Sequence, residues 1–484
     1  MLTTVVLGSA VAMLTATVVN VALPTLARDL GAGASGQKWI VNGYTLTLAS
    51  LILIGGSFGD RFGRVRIYRI GVAWFAVASL LCAIAPNTAA LIACRLLQGV
   101  GGALLTPGSL AIIQATFRPD DRGRGVGAWS GITGIAGAIG PLVGGLVVEA
   151  SWRAVFVLNV PIAIAAFALS FRVPESKDPS AREQPIDVAG AVLTTTVLGG
   201  ASFALIEGPE AGWAWWEIAA AVAAVAAAIA LWIVERGRPN AMVPLDLFAD
   251  RVFAAANLLT FAIYGGMGVL FFLLSVHLQV TGGWSPLAAG TALLPVTAIM
   301  LVLSARAGEV ASRIGPRWPL TLGPLVVAIG MVAMTRIGTD PSFVTDVLPA
   351  VVVFGLGLAC IVAPVTSTAL DAVPDRRSGA ASGVNNAVAR TAGLLFVAAV
   401  PGLVGLTGDA LGDPARLEPG FDRAMLVSAA VVAGAGVLGL LLLPGRRPSE
   451  AGYHRHGVKV HVHTCPVDGT VSSSTTDELD AVPA

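Results

Sequence analysis

Residues 55–66, GGSFGDRFGRVR, set one acid, Asp60, among Arg61, Arg64 and Arg66, with Gly55, Gly56, Gly59 and Gly63 around it. A carboxylate held among guanidinium groups forms charge-assisted hydrogen bonds, and such contacts can exist in one conformer and break in another. The glycines permit a tight turn and close backbone approach. A second group is Arg95, Gln98 and Gly102, spaced i, i+3 and i+7, which puts a cation, an amide and a gap on one helix face. A third is Arg390, which follows Asn385 and Asn386. Asn20, Tyr44, Gln114, Asn257, Tyr264 and His277 are further polar points in apolar surroundings. Each could line a cavity, although a lone polar side chain there is more often satisfied by a neighbouring helix.

Bond-making chemistry has little support. There is no HExxH or GxSxG, and of five histidines only His277 stands outside the last forty residues. The others, His454, His456, His461 and His463, share a polar stretch with Cys465 in a spacing that matches no closed metal site. Cys82, Cys94, Cys360 and Cys465 show neither metal-site spacing nor a disulfide pattern, and the helical ones read as packing residues. The expectation is no enzyme activity, no metal and no cofactor.

The elements that must position these residues are apolar and long. Of 484 residues, 55% are hydrophobic and 12% charged, and the mean hydropathy is +0.79. Many stretches exceed the roughly 18–20 residues that cross a bilayer, so the chain reads as an all-α polytopic membrane protein. A net charge of +1 gives no reason to expect a nucleic-acid partner. Cutting at charge clusters and Pro/Gly turns predicts fourteen spans, near 2–24, 38–58, 67–86, 90–116, 125–148, 154–171, 186–206, 214–234, 252–278, 286–306, 317–337, 344–370, 379–406 and 424–444. The first reads as a retained helix and not as a signal peptide, since it has no basic leader or small-residue cleavage site. The loops after even-numbered spans hold eighteen Lys and Arg and the opposite loops hold six, Arg28, Lys38, Arg153, Arg336, Arg416 and Arg423. That bias places both termini in the cytoplasm and puts Trp213, Trp215 and Trp216 at the outer interface.

The chain also repeats itself. AGEVASRIGPR at 307–317 matches Gly56, Arg61 and Gly63 with Gly308, Arg313 and Gly315 at a shift of 252 residues, with Ser312 in place of Asp60. Pro119-Asp120-Asp121-Arg122 recurs as Pro374-Asp375-Arg376-Arg377 at a shift of 255. Two parallel six-helix bundles are therefore expected, at 1–174 and 251–445, with an inserted helix pair in 175–250 and a disordered cytoplasmic tail from 446 to 484.

Five segments in order resemble the major facilitator superfamily, and in particular its fourteen-helix drug:proton antiporter branch. Gly56 to Arg66 is similar to the loop signature G-x-L-x-D-R-x-G-R-x-x, with Phe58 in the usual Leu place. LIACRLLQGVGGA at 91–103, GPLVGG at 140–145, TVVNVALP at 17–24 and SWRAVFVLNVPIA at 151–163 resemble the motifs of the fourth, fifth, first and sixth helices. The resemblance implies that Gly56, Asp60, Arg61, Gly63 and Arg64 latch the two halves in one state, the alternative being a charged turn that only sets topology. It implies gating or sealing by Gly140, Pro141, Gly144 and Gly145 on the fifth helix. Where the branch usually carries an acid, two residues before Thr17, this chain has Thr15, and no Asp or Glu lies in the middle of a predicted span. Proton coupling is thus implied by the resemblance and opposed by the residues, because a carboxylate in low dielectric is the ordinary proton carrier. The deep ionisable groups are read as Arg95 and Arg390, which favours a neutral or anionic small-molecule substrate over a cation. The function implied is a monomeric exporter of a drug, antibiotic or secondary metabolite in the cell (inner) membrane, working by alternating access. An importer of the same fold and a solute sensor are the alternatives.

Overall fold

The structure is a computed structural model that describes residues 1–117, 119–177, 186–238, 241–374 and 377–445. The tail histidines, Cys465, Arg118, Arg182, Asp375 and Arg376 lie outside the described residues, as do the side chains of Gln114, Asp120, Asp121, Arg122, Arg124 and Ser312. All the described residues belong to one compact unit.

Seventeen helices follow one another, with no strand among the described residues. They are α1 Leu2–Leu30, α2 Ala34–Phe62, α3 Arg64–Ala83, α4 Thr88–Thr116, α5 Pro119–Ala150, α6 Ala154–Val157, α7 Asn159–Ser170, α8 Val188–Ala211 and α9 Trp215–Glu235. The chain continues through α10 Arg251–Val280, α11 Pro286–Thr291, α12 Leu294–Ile314, α13 Pro319–Met334, α14 Leu348–Ala359, α15 Val362–Asp371, α16 Ser378–Leu403 and α17 Pro414–Leu442. Twelve helical stretches are long and apolar enough to cross a bilayer, and two shorter apolar helices, Ala154–Ser170 and Pro319–Met334, stand where the sixth and eleventh spans are expected.

Ends are set by local chemistry. Gly31 and Gly212 close α1 and α8 in the left-handed conformation, and Asn87, Asp187, Asp250, Ser285 and Asp413 cap the starts of α4, α8, α10, α11 and α17 through their side chains. Several helices run past the expected boundaries. Lys38, expected in a loop, lies within the first turns of α2 and is fully buried, and Asp422 lies within α17, not before it. The reading that only Arg95 and Arg390 are deep cations therefore needs Lys38 added, because a charge cluster looks like a loop whenever its counter-ion is far away in sequence.

Packing is closest within each half: α2 and α3 lie on α4 and α1 lies on α5, while α10 lies on α16 and α17, and α13 on α14 and α17. Hydrogen bonds between the halves gather at one end. Asn42 Nδ2 donates to the Leu394 carbonyl (3.2 Å), Gln279 Nε2 to that of Val21 (3.0 Å), and Ala34 N to that of Gly408 (2.7 Å).

Candidate functional site

The α4 stripe is fully engaged within the first half. Arg95 Nε donates to the Ile40 carbonyl at 2.9 Å and Nη1 to Gln98 Oε1 at 2.6 Å. Gln98 Nε2 donates to Ser79 Oγ at 2.7 Å, and the guanidinium lies 4.7 Å from the centre of the Tyr44 ring. The Tyr44 hydroxyl donates to the Ala12 carbonyl at 3.2 Å, so one cation ties α1, α2, α3 and α4 together. A buried guanidinium needs such acceptors, and here they are protein groups. Close helix approach makes the contacts reachable, since a Cβ on Gly102 would stand 3.1 Å from the Tyr44 hydroxyl.

The α16 group is arranged differently. Arg390 stands half-buried at the middle of α16 and its Nε is buried with no hydrogen-bond partner. Tyr44 and Tyr264 both lie within electrostatic reach of it. Asn385 accepts from the Thr260 hydroxyl at 3.0 Å, while Asn386 is exposed one turn before Arg390. Asn257 Nδ2 donates to the Phe253 carbonyl at 2.9 Å, leaving its Oδ1 unpartnered, as is the buried Oδ1 of Asn20. His277 is set apart from this group: it stacks on Phe421 with ring centres 4.1 Å apart, and its Nε2 lies 2.6 Å from the Ile337 carbonyl. It is a core residue of the second half. Thr15, in the usual place of an acid, donates to Asn159 Oδ1 at 2.9 Å, a neutral bond between α1 and α7.

In the 55–66 turn, Arg64 Nε donates to Asp60 Oδ1 at 2.8 Å, so this acid is paired inside its own half. Gly63 takes φ +117°, a conformation that favours glycine, and a Cβ there would sit 2.8 Å from the Glu175 carboxyl carbon. Glu175 accepts from the backbone N–H of Val65 (2.9 Å) and Arg66 (3.0 Å), capping α3 from 110 residues away. Sequence reasoning missed Glu175 because a loop acid without a motif gives no signal. The repeat at 307–317 keeps the positive φ at Gly315 and carries its own exposed ion pair, Glu309–Arg313.

The α5 glycines meet two different partners. A Cβ at Gly140 would lie 2.0 Å from Thr17 Oγ1 and one at Gly144 2.8 Å from Val18 Cγ1, both on α1. At Gly145 it would lie 2.6 Å from Leu287 Cα on α11, and at Gly290 2.2 Å from the Pro141 carbonyl oxygen. Small residues here let backbones from the two halves touch.

A cluster absent from the sequence reading closes the same end. Lys38 Nζ lies 3.2 Å from Glu210 Oε1, with 0% and 16% of the two side chains exposed. Gly408 N donates to Glu210 Oε2 at 2.6 Å, and Glu207 Oε1 accepts from Ser35 Oγ (2.6 Å) and Trp39 Nε1 (2.7 Å). Helix α8 thereby joins α2 to the turn before α17.

Long apolar helices and buried charges used as ties define a polytopic α-helical membrane protein. The chain belongs to the Major Facilitator Superfamily, whose sequence profile matches residues 5–398. Over 473 residues, it is 31% identical to the tetracenomycin C resistance and export protein of Streptomyces glaucescens, covering 96% of this chain and 86% of that one. The multidrug resistance protein Stp of Mycobacterium tuberculosis is 34% identical over 87% of this chain and 77% of its own length. The methylenomycin A resistance protein of Streptomyces coelicolor is 34% identical, over 84% and 86%. Among solved structures, a D-xylose-proton symporter superposes with a TM-score of 0.62 at 16% identity, covering 92% of this chain and 96% of that one. An inward-facing bacterial homologue of the human lysosomal transporter Spinster superposes with 0.64 at 15% identity, covering 91% and 96%.

Proposed function

We propose that this protein is a secondary active exporter that moves drug-like or antibiotic small molecules out of the cell by alternating access, and that it has no enzymatic activity. The observation carrying this reading is the one-ended closure. The two proposed bundles are hydrogen-bonded across Asn42–Leu394, Gln279–Val21 and Ala34–Gly408, all at one end. With the basic loops in the cytoplasm, the hydrogen-bonded end is the outer one, and an exporter would load from the inner end. The resistance and export proteins that resemble the chain over most of its length support the direction of transport.

The same reading takes α6–α7 and α13 as two further spans, for fourteen in the cell (inner) membrane with both termini inside. It takes 1–174 and 251–445 as the moving bundles and 175–250 as an inserted pair. Asp60 and its arginines serve as the cytoplasmic latch, and in this state Arg64 pairs with Asp60. Gly140, Pro141, Gly144 and Gly145 seal the outer face. The protein works as a monomer and is driven by protons. An importer would present the same closure, and the relatives are what favour export. The test is resistance in a pump-deficient host: expression should raise the inhibitory concentration of several unrelated antibiotics and lower their cell-associated amounts. Unchanged inhibitory concentrations at full membrane expression, or a raised intracellular amount, would remove the reading.

A further inference from the structure

Three deep cations differ in how they are satisfied. Arg95 is bound by the Ile40 carbonyl and Gln98, and Lys38 by Glu210. Arg390 has an unpartnered buried Nε, and among the described residues no ion pair includes it. A guanidinium at membrane depth without a counter-charge is costly, so an uncompensated one in a transport protein is a candidate ligand contact. Position fits that role. Gly383, Ala387, Arg390 and Leu394 form one stripe of α16, and this stripe meets α2: a Cβ on Gly383 would touch Leu53, Ala387 packs against the first half's core, and the Leu394 carbonyl accepts from Asn42. Arg390 therefore stands in the seam between α2 and α16, with the exposed Asn386 one turn away.

We infer that Arg390, in the seam between α2 and α16, receives the anionic group of the exported molecule, so that the substrate class is an amphiphilic organic anion. The inference rests on the exporter reading and adds the charge of the substrate to it. A planar guanidinium with free N–H groups matches a carboxylate, sulfonate or ionised enol, and the aliphatic and aromatic surroundings suit an apolar body. A permanent cation is repelled by the same group.

The experiment uses three fluorescent probes of one three-ring size: anthracene-2-sulfonate, anthracene-2-carboxamide and N-methylacridinium. Binding to the purified full chain and uptake into inverted membrane vesicles at clamped potential are measured for wild type, Arg390→Gln and Arg390→Lys. The sulfonate should bind most tightly. Arg390→Gln should weaken it by about tenfold or more, the loss expected for a charge-assisted contact. The same change should leave the carboxamide within about twofold, which also shows that the variant is folded, and Arg390→Lys should retain an intermediate affinity for the sulfonate. Acridinium bound or transported as well as the sulfonate, or sulfonate affinity unchanged in Arg390→Gln, overturns the inference. Carboxamide transport with no sulfonate transport overturns it and leaves the exporter reading standing. Transport of no probe in vesicles whose host shows no resistance overturns both.

Discussion

At the scale of single residues, the two cations singled out by spacing do different work. Arg95 is bonded to Ile40 and Gln98 and stacked on Tyr44, so its loss leaves a buried carbonyl and amide unpaired. Arg95→Ala should destabilise the protein by at least about 2 kcal/mol and stop transport. Arg95→Lys should keep part of both, since lysine supplies the charge but not the fork. Thermal unfolding in detergent beside efflux checks this, and an alanine variant as stable and active as wild type contradicts it. Asp60 is a different case, being 39% exposed and paired locally with Arg64. An exposed pair contributes little stability, so Asp60→Asn should express and fold normally while efflux is abolished. Wild-type efflux from a well-expressed Asp60→Asn variant excludes the latch.

At the scale of helices, the closed end is held by a charge cluster on α2 and α8. Lys38 and Glu210 are buried together, so removing one strands the other. Lys38→Ala and Glu210→Ala should each be destabilising, and the double variant should cost less than the sum of the two. A coupling energy above about 1 kcal/mol is expected from a thermal double-mutant cycle, and a coupling near zero refutes the tie. What the sequence revealed and what it hid follow from the same physics. Arg95 and Gln98 were legible because they sit on one helix face three residues apart. Asp60 and Gly63 were legible because a positive-φ turn and an acid among arginines leave a local pattern. Lys38 and Glu210, and Glu175 with the start of α3, are partners more than a hundred residues apart, and one sequence records nothing of that distance. Hydropathy moreover reads a paired buried charge as a solvated one, which is why α2 was expected to start later than it does. The fold was legible because twenty apolar residues in a row leave a bilayer span as the plain outcome.

At the scale of the whole molecule, closure at one end demands that the other end admit solute, and transport demands that the two exchange. A cysteine at the exposed Asn386 should react with a membrane-impermeant thiol reagent from the cytoplasmic face and far more slowly from outside. Equal labelling of Asn386→Cys from both faces contradicts an inward-facing state. The central claim is export driven by protons, in a chain whose usual acid position holds Thr15 bonded to Asn159. The most direct test is flux in proteoliposomes of inside-out orientation with potassium and valinomycin holding the potential at zero, using the antibiotic best protected against in the resistance panel. An acid lumen should drive accumulation of the drug above its equilibrium level, and nigericin should collapse it. The same slow equilibration with and without the pH gradient would contradict the account.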